Sequence, residues 1–125
     1  MFIFESLKVY QKSLLFIQHI YSTTKTWPKT EQFSLIDQAH RAAISITLNI
    51  AEGSSRSRKD FKHFLDIARG SCFEIVAILS IARNQQYISQ QQYHLLYQEL
   101  EELIRILYGL RKSLGVAKSK GFSKS

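Results

Sequence analysis

Along the last third of the chain, Tyr93, Leu96, Leu100, Leu103, Leu107, Leu110 and Leu114 recur at alternating steps of three and four. That spacing stacks large apolar side chains on one face of a helix and leaves the opposite face polar. Such a stripe cannot be satisfied by a helix standing alone in water. It must be covered by other helices, as in a bundle. Ser89 with Gln92 three residues on supplies a start signal, because hydroxyl and amide can each satisfy a free backbone N–H of the first turn. The predicted helix covers about residues 90–114.

Three further helices follow from the same periodicity. The first covers about 5–26, with Leu7, Tyr10, Leu14, Ile17 and Tyr21 as its inner face. It ends at Trp27-Pro28, because proline disfavours helix in the residue before it. The second covers about 31–52, with Ile36, Ala39, Ala43, Ile46 and Ile50 inward and Gly53 expected as its C-cap. Within it, Ile44 to Ile50 also alternates apolar and polar in the manner of a strand. The helical spacing begins earlier and runs from 36 to 50, so helix is preferred. The third covers about 58–86, started by Ser57 with Asp60, and buries Phe61, Leu65, Ala68, Cys72, Ile75, Leu79 and Ala82. Short joints between four helices imply an all-α, antiparallel up-down-up-down four-helix bundle over residues 1–115. Residues 116–125 lose all periodicity and are expected to form a flexible basic tail.

The functional classes are narrowed mainly by what is absent. No Glu-x-x-His pair occurs, and His19, His40, His63 and His94 fall one per predicted helix, so neither a di-iron site nor any other metal site is expected. Cys72 is the only cysteine and sits on a core stripe, where a thiol behaves as a small hydrophobe. No phosphate-cradling glycine loop or nucleophile motif appears. The expectation is a protein without catalytic activity and without cofactor. No apolar run approaches the ~18 residues of a membrane span. The opening Met-Phe-Ile-Phe-Glu does not resemble a secretory signal, so no membrane role and a cytoplasmic location are expected.

What remains is charge and exposed apolar surface. The formal charge is +7, concentrated at the two ends and at one joint. The joint after Gly53 carries Arg56, Arg58, Lys59 and Lys62 at the start of the third helix, where free N–H groups and the helix dipole also favour anions. Arg111, Lys112, Lys118 and Lys120 form a second basic cluster near the C-terminus. These eight residues are candidate contacts to the phosphates of a nucleic acid, an anionic membrane surface being the other polyanion such patches attract. Separately, Phe73 to Ala82 is apolar around nearly its whole circumference. Ile67, Ile78 and Ile81, with Ile44 and Leu48 on the second helix, are expected to point outward and form an oligomer interface. Glu74 is expected to pair with Arg41 or with an arginine of a neighbouring subunit, and Asn49 to fix helix register.

Four motifs, in order, carry a family resemblance. Lys8-Val-Tyr-Gln-Lys12, Arg41-Ala-Ala-Ile-Ser-Ile46, Asn49-Ile-Ala-Glu-Gly53 and Phe61-x-x-Phe-Leu-x-Ile-Ala-x-Gly-Ser71 with Glu74 resemble the S23-type bacterial four-helix-bundle proteins encoded by 23S rRNA intervening sequences. The resemblance covers about residues 4–114. It departs from the family at Tyr10, where tryptophan is common, and at Thr47-Leu48, where Pro-Ser is usual. It implies a barrel-like homopentamer with a basic surface and no catalytic activity. The family is similar to the accessory variability protein of diversity-generating retroelements. That similarity implies nucleic-acid binding or, alternatively, a scaffold acting as accessory subunit of a reverse transcriptase.

Overall fold

The computed structural model describes the backbone of residues 1–122 and the side chains of residues 1–115. Among the described residues, all regular structure is helical. Two short 3-10 turns, Ile3–Ser6 and Lys29–Glu31, precede the first and second of four α-helices: α1 (Lys8–Thr24), α2 (Leu35–Ser54), α3 (Arg58–Asn84) and α4 (Gln90–Phe122). Both serine caps form. Ser57 Oγ accepts from the Asp60 amide at 3.2 Å. At α4 the box is reciprocal, with Gln92 N–H donating to Ser89 Oγ at 3.0 Å and Ser89 N–H to Gln92 Oε1 at 3.2 Å.

Cross-helix contacts establish the antiparallel order. Ser13 meets Thr47 at 2.8 Å while Thr24 meets His40 at 2.8 Å, so α1 and α2 run oppositely. Arg111 reaches Asp66 and Ser80 lies near Tyr93, so α3 and α4 do too. Lys12–Glu102 and His19–Glu99 close α4 back onto α1. Helices of 20 and 27 residues span ~30 and ~40 Å.

The predicted inner stripes of α2, α3 and α4 are the core. Ile46, Ile50, Leu65, Ile75, Leu79, Leu100, Leu103 and Leu107 are fully buried. Each such side chain contributes about 1.5–3 kcal/mol over its exposed state. The stripe expected for α1 is displaced. Val9, Phe16 and Ile20 are its buried apolar residues, joined by Ser13 and Thr24, while Leu14 and Tyr21 are exposed. Two hydroxyl residues interrupt the buried stripe, which hides it from a hydrophobic count. They are tolerated inside because both are hydrogen-bonded: Ser13 donates to Tyr10 O at 2.7 Å, and the Thr24 hydroxyl lies 2.8 Å from His40 Nε2.

Helix ends also differ from expectation. Leu7, extended at φ −72°, ψ 130°, separates the first 3-10 turn from α1. Ser34, at φ −129°, ψ −95°, delays α2 until Leu35. Gly53 is not a C-cap. It is buried in the last turn of α2 with no positive φ, and the cap is Ser55. Gln86, at φ 63°, takes the left-handed position that ends α3. Beyond Leu114, where the stripe stops, the α4 backbone continues helical to Phe122. Of the tail expected over 116–125, residues 123–125 and all the side chains lie outside the described residues.

Candidate nucleic-acid interface

The joint between α2 and α3 is only Ser55 to Ser57. Its conformation is set locally, with Ser55 and Arg56 amides donating to Glu52 O at 3.3 Å and Gly53 O at 3.0 Å. Arg58 and Lys59 are exposed in the first turn of α3 and Lys62 is half-buried one turn on. Arg56 is exposed but already engaged. Its Nε donates to Glu52 Oε2 at 3.1 Å, its Nη2 makes a second bond to the same oxygen, and its guanidinium lies 5.3 Å from the Phe64 ring centroid. Exposed pairs of this kind are weak, typically under ~1 kcal/mol. Glu52 nevertheless neutralises one cation of the joint. At the helix N-terminus, the Asp60 amide is taken by Ser57 and the Phe61 amide by Ser57 O, and the amides of Arg58 and Lys59 make no hydrogen bond among the described residues.

Antiparallel packing brings the second basic cluster to this end. Lys62 Nζ lies 3.7 Å from where a Cβ on Gly115 would stand. Arg111 Nε donates to Asp66 Oδ1 at 2.7 Å. Arg58, Lys59, Lys62, Arg111 and Lys112 therefore gather at one end of the bundle, although positions 58 and 112 are far apart in the chain. Arg56 and Arg111 are paired with carboxylates, whereas Arg58, Lys59, Lys62 and Lys112 make no ion pair among the described residues. The side chains of Lys118 and Lys120 lie outside the described residues.

The expected outer face divides. Leu48 is 61% exposed, Ile67 and Ile81 are also exposed, and Ile44 is half-buried. Ile78 is a correction: it is 3% exposed and belongs to the core. The reason is where α2 crosses α3. Ser71, one heptad before Ile78 on the same face, donates to Ser45 of α2 at 3.0 Å, so that face is covered within the protomer. Glu74 is exposed and does not pair with Arg41, which instead bonds Asp37 at 3.0 Å along its own helix. Asn49 donates to Ser45 O at 2.8 Å and to Ser45 Oγ at 3.0 Å, and Ser45 Oγ in turn accepts from Ser71 of α3 at 3.0 Å.

Two further features take their meaning only from the packed helices. Thr47, standing where the resembled family usually has proline, bonds Ser13 across α1 and α2. The exposed aromatics Phe73, Tyr97 and Tyr108 lie with Arg69 and Arg105 along the α3–α4 seam. Their signal was a set of aromatics flanking the leucine stripe, visible only once the neighbouring helix is in place. The four histidines stay apart, with His19 on Glu99 at 2.8 Å, His40 stacked on Tyr21 at 3.9 Å between centroids and His63 against Phe64. Burial pushes the His40 imidazole below its usual value. Among the described residues no helix is long and apolar enough to cross a membrane, and no group of three or more potential metal ligands forms.

Comparison with known proteins places this geometry in context. The sequence profile described as "23S rRNA-intervening sequence protein" matches residues 5–109. A solved structure of a protein of unknown function from the S23 ribosomal protein family of Bacteroides thetaiotaomicron is similar at a TM-score of 0.76 and 28% identity, covering 83% of this chain and 95% of that one. No curated protein matches the chain.

Proposed function

The chain belongs to the 23S rRNA-intervening sequence protein family, and from that premise we infer that it is a non-enzymatic, oligomeric protein that binds RNA or DNA through the basic end of its bundle. The observation that supports this reading is the convergence of Arg58, Lys59, Lys62 and Lys112, unpaired among the described residues, beside the N-terminus of α3. Two clusters distant in sequence are assembled by the fold into one cationic surface, and such a surface concentrates a polyanion. Phosphate neutralisation releases counterions, so binding should fall steeply with salt. Arg58→Ala, Lys59→Ala and Lys62→Ala combined should weaken binding to any sequence. The same variant should flatten the slope of log K against log[salt] by about 2–3. Unchanged affinity and slope would remove this end of the bundle from the reading.

A second reading rests on Leu48, Ile67 and Ile81, three large apolar side chains left in water on neighbouring helices. They favour assembly into a homo-oligomer, with a pentamer as the arrangement implied by the family resemblance. In such an array several weak phosphate sites would act together. The same faces would serve a scaffold that seats a reverse transcriptase. A partner that stays bound after nuclease treatment, and is lost on Leu48→Glu, would favour the scaffold over direct nucleic-acid binding.

A further inference from the structure

The exposed aromatic side chains of this protein are not scattered evenly. Phe73 is 55% exposed and Tyr108 54% exposed, and both line a cleft of about 350 Å³ between α3 and α4 together with Asp66, Arg69, Gly70 and Arg111. Phe73 also lines a second cleft of about 300 Å³, bounded by Val76, Tyr97, Glu101, Ile104 and Arg105. The two clefts share the Phe73 ring and lie along the same α3–α4 seam. From Tyr97 to Tyr108 the seam runs ~16 Å along α4. Both volumes fall at the lower end of the ~300–1,000 Å³ range of small-ligand pockets.

We propose that this seam takes unpaired nucleobases of a single-stranded nucleic acid whose phosphates lie on the basic end of the bundle. The proposal rests on the nucleic-acid reading above and adds the strandedness of the ligand and the site of its bases. Three observations carry it. First, the rings of Phe73 and Tyr108 are more than half exposed, and that of Tyr97, tilted at 5.8 Å from the Tyr93 ring, is also exposed. Every base has a π-face, so stacking on such rings is tolerant of sequence. Second, the rings alternate with guanidinium groups. Arg69 lies 5.6 Å from the centroid of Tyr108, and neither Arg69 nor Arg105 makes an ion pair among the described residues. A guanidinium set against an aromatic ring can cover a stacked base on one side and reach a phosphate on the other. Third, Arg111 belongs both to the first cleft and to the basic end, so the phosphate surface and the base surface adjoin at this residue.

The alternatives fit less well. A duplex hides its base faces within the stack and cannot use the rings. A second copy packed seam to seam would set Arg69 and Arg105 against the same arginines. Gly70 provides a clean probe, because a Cβ there would meet no atom within 4 Å. A larger side chain at this position extends into the first cleft, which Gly70 lines.

The test uses the intact protein, a labelled uridine-rich RNA single strand, and a hairpin duplex of similar length, with binding followed by fluorescence anisotropy. Phe73→Ala and Tyr108→Ala should each weaken single-strand binding about fivefold to a hundredfold. Both should leave the salt slope and the duplex affinity unmoved. Gly70→Leu should weaken the single strand while folding as stably as the parent. If the seam variants bind the single strand as the parent does, while the Arg58, Lys59 and Lys62 variant is impaired, the seam proposal fails and the basic-end reading stands. If Phe73→Ala or Tyr108→Ala changes the sedimentation coefficient to that of a smaller assembly, the seam is a subunit contact and the proposal is overturned. If the parent protein binds neither probe, both readings fall together.

Discussion

A Cβ placed on Gly53 would stand 2.7 Å from Phe64 Cβ and 2.9 Å from Phe61 Cδ1. The last turn of α2 thus rests directly on the first turns of α3, and only hydrogen fits between them. Gly53→Ala should destabilise the fold by about 1–3 kcal/mol through overpacking, although alanine in an exposed helix would gain ~1 kcal/mol over glycine. Urea unfolding at constant m-value reads the sign directly. A midpoint that rises would show that close approach is not what demands glycine here.

Gln86 occupies the left-handed region at φ 63°, with Tyr87 N–H bonded to Ala82 O at 2.8 Å and Gln86 N–H to Arg83 O at 3.0 Å. This is the Schellman end of a helix, and its left-handed position normally belongs to glycine. Replacing the strained residue recovers ~1–2 kcal/mol, offset by the greater freedom glycine has when unfolded. Gln86→Gly should therefore stabilise by about 0.5–1 kcal/mol, a few degrees in Tm.

The Cys72 thiol is buried, and burial pushes its pKa from the usual 9.0 up to about 12. The folded state then holds a proton that the unfolded state gives up, so the contribution is full below pH ~9 and declines as pH rises toward 12. A Cys72→Ala variant should show a shallower alkaline loss of stability than the parent, whatever its stability at neutral pH. Thiol reagents should modify Cys72 only at the rate of unfolding.

Leu48 and Ile81 are separated by tertiary structure from Ile78, although all three are large apolar residues on the same pair of helices. Leu48→Glu and Ile81→Glu should each change stability by less than ~0.5 kcal/mol, as surface substitutions do. Together they should shift sedimentation toward the monomer. Ile78→Glu should instead unfold the protein, because it buries a charge in the core. A double variant that sediments as the parent does would remove this face from any assembly.

The amino-acid sequence by itself determined the number of helices, their order, the serine caps at Ser57 and Ser89, and the inner faces of α2, α3 and α4. These are local or periodic properties, and an uninterrupted apolar stripe such as Leu96 to Leu107 declares its own face. Tertiary structure alone decided the rest. It chose Val9, Phe16 and Ile20 over Leu14 and Tyr21, because Ser13 and Thr24 could be buried only if Thr47 and His40 stood opposite them. It drew Ile78 inward and made Gly53 a point of helix contact in place of a cap. It also set Lys62 beside Gly115 of α4, and Tyr108 beside Phe73 and Arg69, turning separate stretches of chain into one basic end and one aromatic seam. Periodicity states which side of a helix prefers to be covered. Which neighbour covers it, and what is left in water, follow from packing four helices against one another at once.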